Sequence, residues 1–328
     1  MKKYALAIHG GAGTILPSMM TPALEMAYNE ALEKALKAGQ VILQNEGSAL
    51  EAVEAAVKVM EDSPLFNAGR GAVFSNEGTN EMEASIMCGK HRIAGAIAEV
   101  KSVKNPISLA KKVLEDDRFV FLNGKGAERY ADQFDELKKV SPDYFYTEER
   151  YNQWQAVKNE DRALLDHDGA SNLQHEDPII QNQDAKGGDY KFGTVGAVAL
   201  DMEGNLAAAT STGGLTNKKF GRLGDSALIG CGTYADNHSC AVSCTGYGEH
   251  FIQNTVARDI SARMEFGGMS LKEAANKVVM DQLVKCNGEG GIIAIDKDGN
   301  IELVFNSEGM YRGKVCSDQE LPMVAIYR

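Results

Sequence analysis

An almost uninterrupted apolar run at residues 195–200 (Val-Gly-Ala-Val-Ala-Leu) is the feature that most constrains the fold of this chain. Its length and composition predict a strand, and a strand without polar residues is buried on both faces. The turn at residues 201–205 (Asp-Met-Glu-Gly-Asn) and the returning run at 206–212 predict a β-hairpin. The sheet that contains this hairpin therefore needs other layers packed against it.

Helix and strand signals occur in blocks along the rest of the chain. Thr21-Pro22 predicts a helix start, and capping boxes predict two more at Ser48 and Ser270. Further helices are predicted over residues 106–114 and 127–134 and from 245 to about 266, and strands over 4–8, 72–75, 81–87, 93–100, 227–229, 241–244, 291–295 and 301–305. Blocks of this kind favour a layered sandwich of mostly antiparallel sheets covered by helices.

Composition narrows the class of partner. The 328 residues carry a net charge of −12 without any Lys/Arg-rich block, which argues against nucleic acid or an anionic membrane and favours small substrates. The apolar run after Met1 stops at His9, too early for a signal segment, so we expect a cytoplasmic protein. The six cysteines are expected to be free thiols, and the six histidines lack metal-ligand spacing.

The junction between Gly193 and Thr194 could carry chemistry. A polar stretch over residues 151–190 predicts a mobile linker, and it ends just before this junction. If the bond before Thr194 were cut, the new α-amine, with a pKa of roughly 7.7 to 8, could serve as the base for the hydroxyl of the same residue. The alternative is a β-branched residue that simply starts a strand.

Three further groups could assist Thr194. Thr210 and Thr212 end the hairpin partner of its strand, which places their hydroxyls beside it. Arg222 and Asp225 could clamp the α-carboxylate and α-ammonium of an amino-acid-like ligand, although a surface ion pair is the simpler interpretation. Residues 245–246 (Thr-Gly) offer a hydroxyl and a backbone N–H for an oxyanion hole. The glycine-rich residues 9–13 match no phosphate-binding motif and predict a tight turn.

Six motifs resemble, in order, the plant-type L-asparaginase/isoaspartyl peptidase family of N-terminal-nucleophile hydrolases. They lie at residues 9–13 (His-Gly-Gly-Ala-Gly), 66–69 (Phe-Asn-Ala-Gly), 193–201 (Gly-Thr-Val-Gly-Ala-Val-Ala-Leu-Asp), 209–214 (Ala-Thr-Ser-Thr-Gly-Gly), 221–226 (Gly-Arg-Leu-Gly-Asp-Ser) and 245–249 (Thr-Gly-Tyr-Gly-Glu). The resemblance implies one α+β domain over residues 1–328, folded as a four-layer αββα sandwich. It also implies self-cleavage before Thr194 into an α-subunit of residues 1–193 and a β-subunit of residues 194–328.

The resemblance further implies an enzyme that hydrolyses L-asparagine and β-aspartyl dipeptides through an acyl-enzyme on Thr194. Thr212 would assist the nucleophile, and Thr245 with Gly246 would form the oxyanion hole. The implied substrate-binding residues are Asn67, Arg222, Leu223, Gly224, Asp225, Thr245, Gly246, Tyr247 and Gly248. No catalytic cofactor is implied, but the backbone of Met60, Glu61, Ser63, Phe66, Ala68 and Arg70 resembles the family's structural sodium loop. The family usually forms a homodimer of αβ units.

Three positions depart from the family pattern: Glu83 replaces an Asp, Cys88 replaces an Asp, and Cys231 replaces an Ala. None falls on the chemical groups above, so we expect them to affect packing more than activity. Two other interpretations stay open. One is a non-catalytic α/β protein that binds a small molecule and is never cut, and the other is a glycosylasparaginase-like amidase on the same fold. The sequence does not rank asparagine against β-aspartyl dipeptides.

Overall fold

The larger of two β-sheets runs through the centre of the molecule. The structure, a computed structural model, describes residues 3–159, 193–318 and 321–328. Within these ranges the sheet has eight strands, in the spatial order β12 (Met323–Tyr327), β11 (Gly309–Cys316), β1 (Ala5–Gly13), β5 (Val195–Leu200), β6 (Leu206–Thr212), β2 (Met82–Cys88), β3 (Ile93–Val100) and β4 (Phe121–Asn123). All neighbouring strands are antiparallel except β3 and β4. The apolar run at 195–200 thus lies in the middle of a sheet, as predicted.

The smaller sheet packs face to face on the larger one. Its strands, in spatial order, are β10 (Ile301–Phe305), β9 (Gly290–Asp296), β8 (Cys240–Gly246) and β7 (Thr233–Ala235). Ala5 and Val198 of the larger sheet share one apolar cluster with Val242 and Ile293 of the smaller. Small side chains on this inner face allow the two sheets to approach closely.

Helices cover both outer faces. The first group consists of α1 (Pro22–Gln44), α2 (Ala49–Glu61), α3 (Pro106–Glu115), α4 (Gly124–Ala131) and α5 (Glu148–Val157), and the second of α6 (Gly248–Gln253), α7 (Val256–Glu265) and α8 (Leu271–Asn276), which continues into a π-helical segment (Lys277–Leu283). Leu6 and Ala197 on the outer face of the larger sheet pack with α1 and α2, and Ile260 of α7 packs on the smaller sheet. These four layers confirm the αββα sandwich.

The helix starts predicted at Thr21, Ser48 and Ser270 are confirmed. The Thr21 hydroxyl accepts from the Leu24 N–H at 3.2 Å, and Ser48 and Ser270 each form a complete capping box. The hairpin of β5 and β6 is also confirmed, since Val195 pairs with Ser211 and Leu200 with Leu206. No helix in the described ranges is long and apolar enough to cross a bilayer.

Two predicted loops were wrong. Residues 9–13 continue β1 instead of forming a tight turn, with a register shift between His9 and Gly11 that accommodates the glycines. The polar linker predicted from residue 151 starts too early, because α5 extends to Val157 and packs Trp154 against Phe74, with ring centroids 5.8 Å apart. The remainder of that prediction, over residues 160–190, lies outside the described residues.

Two predicted elements after β6 also differ. The helix expected to run to residue 266 is divided into α6 and α7, because Thr255 adopts a left-handed backbone with φ of 45°. The strand expected at 227–229 is a turn that makes a single bridge between Ile229 and Thr233. Strands β11 and β12 were not predicted.

Candidate active site

Thr194 directly precedes β5. It lines a cavity together with Thr212, at the end of β6, and with residues of the loop that follows β6. Its exposed fraction is 7%, so the hydroxyl is largely shielded from solvent. Because Val195 pairs with Ser211, the next position brings Thr194 opposite Thr212, as the hairpin predicted. The Thr194 Oγ1 atom lies 3.2 Å from the Oγ of Ser226, within hydrogen-bonding distance.

The backbone of Thr194 is held by a buried histidine. His9 Nδ1 lies 3.0 Å from the Thr194 carbonyl oxygen, which can only accept, so this nitrogen carries the proton. Burial lowers the pKa of His9 to about 3, although this hydrogen bond opposes the effect, and the ring is therefore neutral. Its Nε2 accepts from the Ser243 hydroxyl at 2.9 Å, and Thr210 lies 2.7 Å from the same hydroxyl. Thr210 thus supports the site from below, and its hydroxyl is not in contact with that of Thr194.

A cavity opens over Thr194 and joins most of the predicted residues. It is lined by Asn67, Gly193, Thr194, Thr212, Gly214, Leu215, Arg222, Gly224, Asp225, Ser226 and Gly246. Leu223 and Tyr247 do not line it, and Gly248 lies behind Arg222 and Asp225. Sequence reasoning gave no role to Ser226 or Leu215. Ser226 could have been predicted, because it directly follows Asp225 and is the last residue of the motif at 221–226.

The Arg222 side chain is already paired on one edge. Its Nε and Nη2 atoms donate to the two carboxylate oxygens of Glu249, at 2.9 and 2.8 Å. Burial alone would lower the pKa of the guanidinium, but the contacts with Glu249 hold that pKa above its usual value. Glu249 was quoted in the sequence motif without a role. It turns the flat guanidinium so that the Nη1 side is the one left for a ligand.

Two buried polar atoms near the cavity have no protein partner within the described part of the chain. They are the Oδ2 of Asp225 and the Oγ1 of Thr245, on side chains of residues 3% and 0% exposed. Burial raises the pKa of Asp225 to about 7, and the nearby Arg222 opposes this only in part. Unpartnered buried polar atoms are costly, and in native proteins they mark places where a ligand or water completes the bonding. Because Asp225 also lines the cavity, its unpartnered oxygen indicates a ligand site there.

Thr245 and Gly246 end β8, and the helix after them begins at Gly248. The sequence had placed this pair at the helix start. Gly246 lines the cavity, whereas Thr245 is not among its lining residues and is fully buried. The pair ends a strand of the smaller sheet, shortly before Glu249, which is paired with Arg222.

Asn67 connects two loops at the cavity. Its Nδ2 donates to the Gly214 carbonyl at 2.8 Å, and its Oδ1 accepts from the Val73 N–H at 3.1 Å. The Gly213 N–H also donates to the Asn67 carbonyl, at 3.1 Å. Asn67 thereby fixes the turn that follows Thr212.

The loop predicted to hold sodium follows the end of α2. A Cβ atom added at Gly71 would lie 2.1 Å from the Phe66 carbonyl oxygen and 2.8 Å from that of Pro64, so these carbonyls converge where no side chain stands. A Cβ atom at Gly69 would similarly lie 2.4 Å from the Glu61 carbonyl oxygen. Carbonyl oxygens are ligands that hard cations accept, so the donor set fits such an ion. The Phe66 carbonyl already accepts the Ala68 N–H at 2.9 Å and keeps a second lone pair.

The arrangement combines the parts that acyl transfer requires. The Thr194 hydroxyl lies at the start of a buried strand, Arg222 and Asp225 line the same cavity, and Gly246 lines it from the end of β8. The cysteines in the described ranges are all free, in agreement with the prediction. Burial raises the pKa of the Cys244 and Cys231 thiols, which leaves them poor nucleophiles.

Known proteins that are similar to this chain carry the names of asparaginases or isoaspartyl peptidases. The sequence profile of a family described as asparaginase matches residues 2–325. The isoaspartyl peptidase of Escherichia coli K12 is 48% identical over all of this chain and 97% of its own length. The isoaspartyl peptidase of Salmonella typhimurium LT2 is 47% identical over the full length of both chains. An isoaspartyl peptidase/L-asparaginase of Xenopus laevis is 38% identical over 97% of this chain and 94% of its own.

Proposed function

This chain belongs to the asparaginase family, and we propose that it is a threonine-dependent amidohydrolase that releases L-aspartate from β-aspartyl dipeptides and L-asparagine. The relatives from Escherichia coli and Xenopus laevis are named for isoaspartyl peptidase activity, and the latter also for L-asparaginase activity. Both substrate classes present the same aspartyl group, so one clamp for an α-amino acid serves both.

We propose that the nucleophile is made by self-cleavage. The Oγ1 of Thr194 attacks the carbonyl carbon of Gly193, and the peptide nitrogen of Thr194 leaves with a proton, which gives an ester between the two residues. This step already frees the Thr194 α-amine. Water then hydrolyses the ester, which gives a Gly193 carboxylate and restores the Thr194 hydroxyl. The products are chains of residues 1–193 and 194–328. The buried, immobilised Thr194 carbonyl supports this proposal, because it fixes the hydroxyl against the bond to be cut.

In turnover, the free α-amine accepts the Thr194 hydroxyl proton as the oxygen attacks the side-chain carbonyl of the substrate. Thr245 and Gly246 donate hydrogen bonds to the carbonyl oxygen of the substrate, which becomes negative. The leaving group of the substrate, ammonia or an amino acid, takes the proton from the Thr194 α-ammonium as it departs. Water then hydrolyses the acyl-enzyme, which releases L-aspartate. Thr212 supports the nucleophile from the neighbouring strand, and the Ser226 hydroxyl is a second polar contact for Thr194 Oγ1.

The unpartnered Asp225 carboxylate oxygen is the observation that carries the proposal. Asp225 lines the same cavity as Thr194 and Arg222, where a substrate α-ammonium would supply the missing partner. Arg222 then takes the α-carboxylate through the edge that Glu249 leaves open. A cation and a buried anion side by side fit a zwitterionic amino acid better than a neutral ligand.

Two further features belong to this proposal. The carbonyls around Phe66 and Glu61 would hold a structural sodium ion that fixes the loop carrying Asn67. The protein would assemble as a homodimer of αβ units, which light scattering of the purified enzyme tests directly. Neither takes part in bond making.

The test is denaturing electrophoresis with N-terminal sequencing of the smaller fragment, combined with aspartate release from L-asparagine and from a β-aspartyl dipeptide. We expect two fragments, the smaller beginning at Thr194, and activity on both substrates. Thr194→Ala should remain uncut and inactive, whereas Thr194→Ser keeps the hydroxyl and should still be cut. An intact, inactive wild-type chain would overturn the proposal, and cleavage of glycosylated asparagine alone would favour the glycosylasparaginase-like alternative.

A further inference from the structure

We infer that Glu83 is a positioning residue. With Lys218 it forms a buried ion pair that holds residues 218–225, the clamp loop, so that Arg222 and Asp225 are placed for substrate binding. This inference rests on the proposed function and adds a residue to it. From the sequence, Glu83 is expected to affect packing more than activity. The structure shows that its carboxylate is in direct contact with the loop that carries the clamp.

The ion pair is fully enclosed. The Lys218 Nζ lies 3.1 Å from Glu83 Oε1, with the two side chains 1% and 0% exposed. The same ammonium donates to the Glu81 carbonyl at 2.9 Å. The second oxygen of Glu83, Oε2, accepts from the Gly224 N–H at 3.0 Å. One carboxylate thus joins a lysine at the start of the clamp loop to a backbone N–H in its middle.

The contact at Gly224 controls both clamp residues. Gly224 lies between Arg222 and Asp225, and a Cβ atom added to it would be 3.0 Å from the Arg222 Nη1. A displacement of this backbone would therefore move the guanidinium and the carboxylate together. Glu83 itself is on β2, paired with Thr212 of β6 in the sheet that holds the nucleophile. The carboxylate consequently fixes the distance between the clamp and Thr194.

Stability alone is a poor explanation for this pair. Removing two charges from water costs several kcal/mol for each ion, and apolar replacements of buried pairs are often as stable. The two contacts of Glu83 with the clamp loop give the charges a geometric role instead. The negative charge also acts on its neighbours: it contributes to raising the pKa values of Arg222 and Asp225.

The experiment compares Glu83→Gln, the double variant Glu83→Gln with Lys218→Met, and the parent enzyme. The double variant leaves no unpaired buried charge, so it provides a folded protein if the single variant is unstable. Self-cleavage, kcat and KM are measured on a β-aspartyl dipeptide. We expect normal cleavage and a loss of kcat/KM of roughly 10- to 100-fold, most of it in KM, because the clamp is misplaced with respect to Thr194.

A pH profile separates positioning from a general structural effect. The charged and titratable groups that face Asp225 are Arg222 on its own loop, Glu83 on β2, Glu249 on α6, and the thiols of Cys231 and Cys244. Glu83→Gln removes a negative charge that contributes to raising the pKa of Asp225, so it should move the acid limb of kcat/KM to lower pH. An acid limb at the same pH as in the parent would contradict this effect of the Glu83 charge on the clamp.

The matched control is Glu54→Gln, which breaks an ion pair to Lys111 with a 2.7 Å contact, on α2 and α3, away from the cavity. It should leave KM and the pH profile unchanged. A KM within twofold of the parent in both Glu83 variants, or loss of self-cleavage in the double variant, would overturn the inference. An uncut and inactive parent would instead overturn the proposed function, so the two failures are distinguishable.

Discussion

Replacing Asp225 by Asn should stabilise the protein while it lowers the activity. The carboxyl is buried, its Oδ2 has no protein partner in the described ranges, and burial raises its pKa from 3.8 to about 7. The unfolded chain ionises this group near pH 4, so the folded chain alone bears a desolvated charge at neutral pH. The contribution of this one group to stability is therefore greatest below pH 4 and is lost as the pH rises through about 7.

The magnitude follows from the difference between the two pKa values. At roughly 1.36 kcal/mol for each tenfold change in proton affinity, the ionised carboxylate lowers the free energy of unfolding by about 4 kcal/mol at pH 8. Asp225→Asn keeps the shape and removes the charge, so it should recover most of this free energy. The gain should disappear near pH 4. The same change should lower kcat/KM by about 10- to 150-fold, the worth of a charge-assisted hydrogen bond of about 1.5–3 kcal/mol.

Urea unfolding at pH 4 to 8.5 measures this effect, in a Thr194→Ala background that keeps the chain in one piece. Asp201→Asn is the matched control, because that carboxylate is equally buried but accepts from the N–H groups of Ala49, Glu203 and Asn205. It should destabilise the fold. A variant at Asp225 that is less stable than its parent at pH 8, or a stability difference independent of pH, would refute the reasoning.

Three other substitutions give separate expectations. Arg222→Lys should raise KM by roughly 10-fold or more with self-cleavage intact, because lysine cannot reproduce the planar fork, and near-normal KM would contradict the clamp. Ser226→Ala removes the hydroxyl 3.2 Å from Thr194 Oγ1 and should lower kcat by about 2- to 12-fold, as steady-state kinetics would measure. Gly196→Ala would place a Cβ atom 2.0 Å from Ser243 Oγ, so thermal unfolding should show a loss of about 1–3 kcal/mol.

The sequence predicted the elements that depend on local chemistry. Capping residues such as Thr21 and Ser48 act within one helical turn, and the hairpin after Leu200 is set by its own turn. Helix α5 could not be predicted in this way, because its sequence is polar and its packing depends on a contact between Trp154 and Phe74, about 80 positions earlier. Periodicity within a window does not contain such a contact.

In the candidate site, too, the residues in local motifs could be predicted, whereas the contacts between distant parts of the chain could not. Motifs indicated Thr194, Arg222 and Asp225, and the structure brings all three to one cavity. The supporting contacts were not foreseeable, because His9 reaches Thr194 across 185 positions and Glu83 reaches Gly224 across 141. Only the assembled sheet makes these residues neighbours.

The order of strands in the larger sheet determines how the protein could refold before and after cleavage. Strand β1 lies between β11 and β5, and β6 lies beside β2, so segments from before and after residue 193 alternate across one sheet. Cleavage before Thr194 would leave two peptides joined by backbone ladders in the larger sheet, which neither peptide could form alone, although the smaller sheet belongs wholly to residues 194–328. The uncut chain can refold in a first-order process, but a denatured mature enzyme would have to find its other half by collision. After the cut, the yield of refolded enzyme would therefore depend on protein concentration, whereas the refolding yield of the uncut chain would not require two peptides to meet.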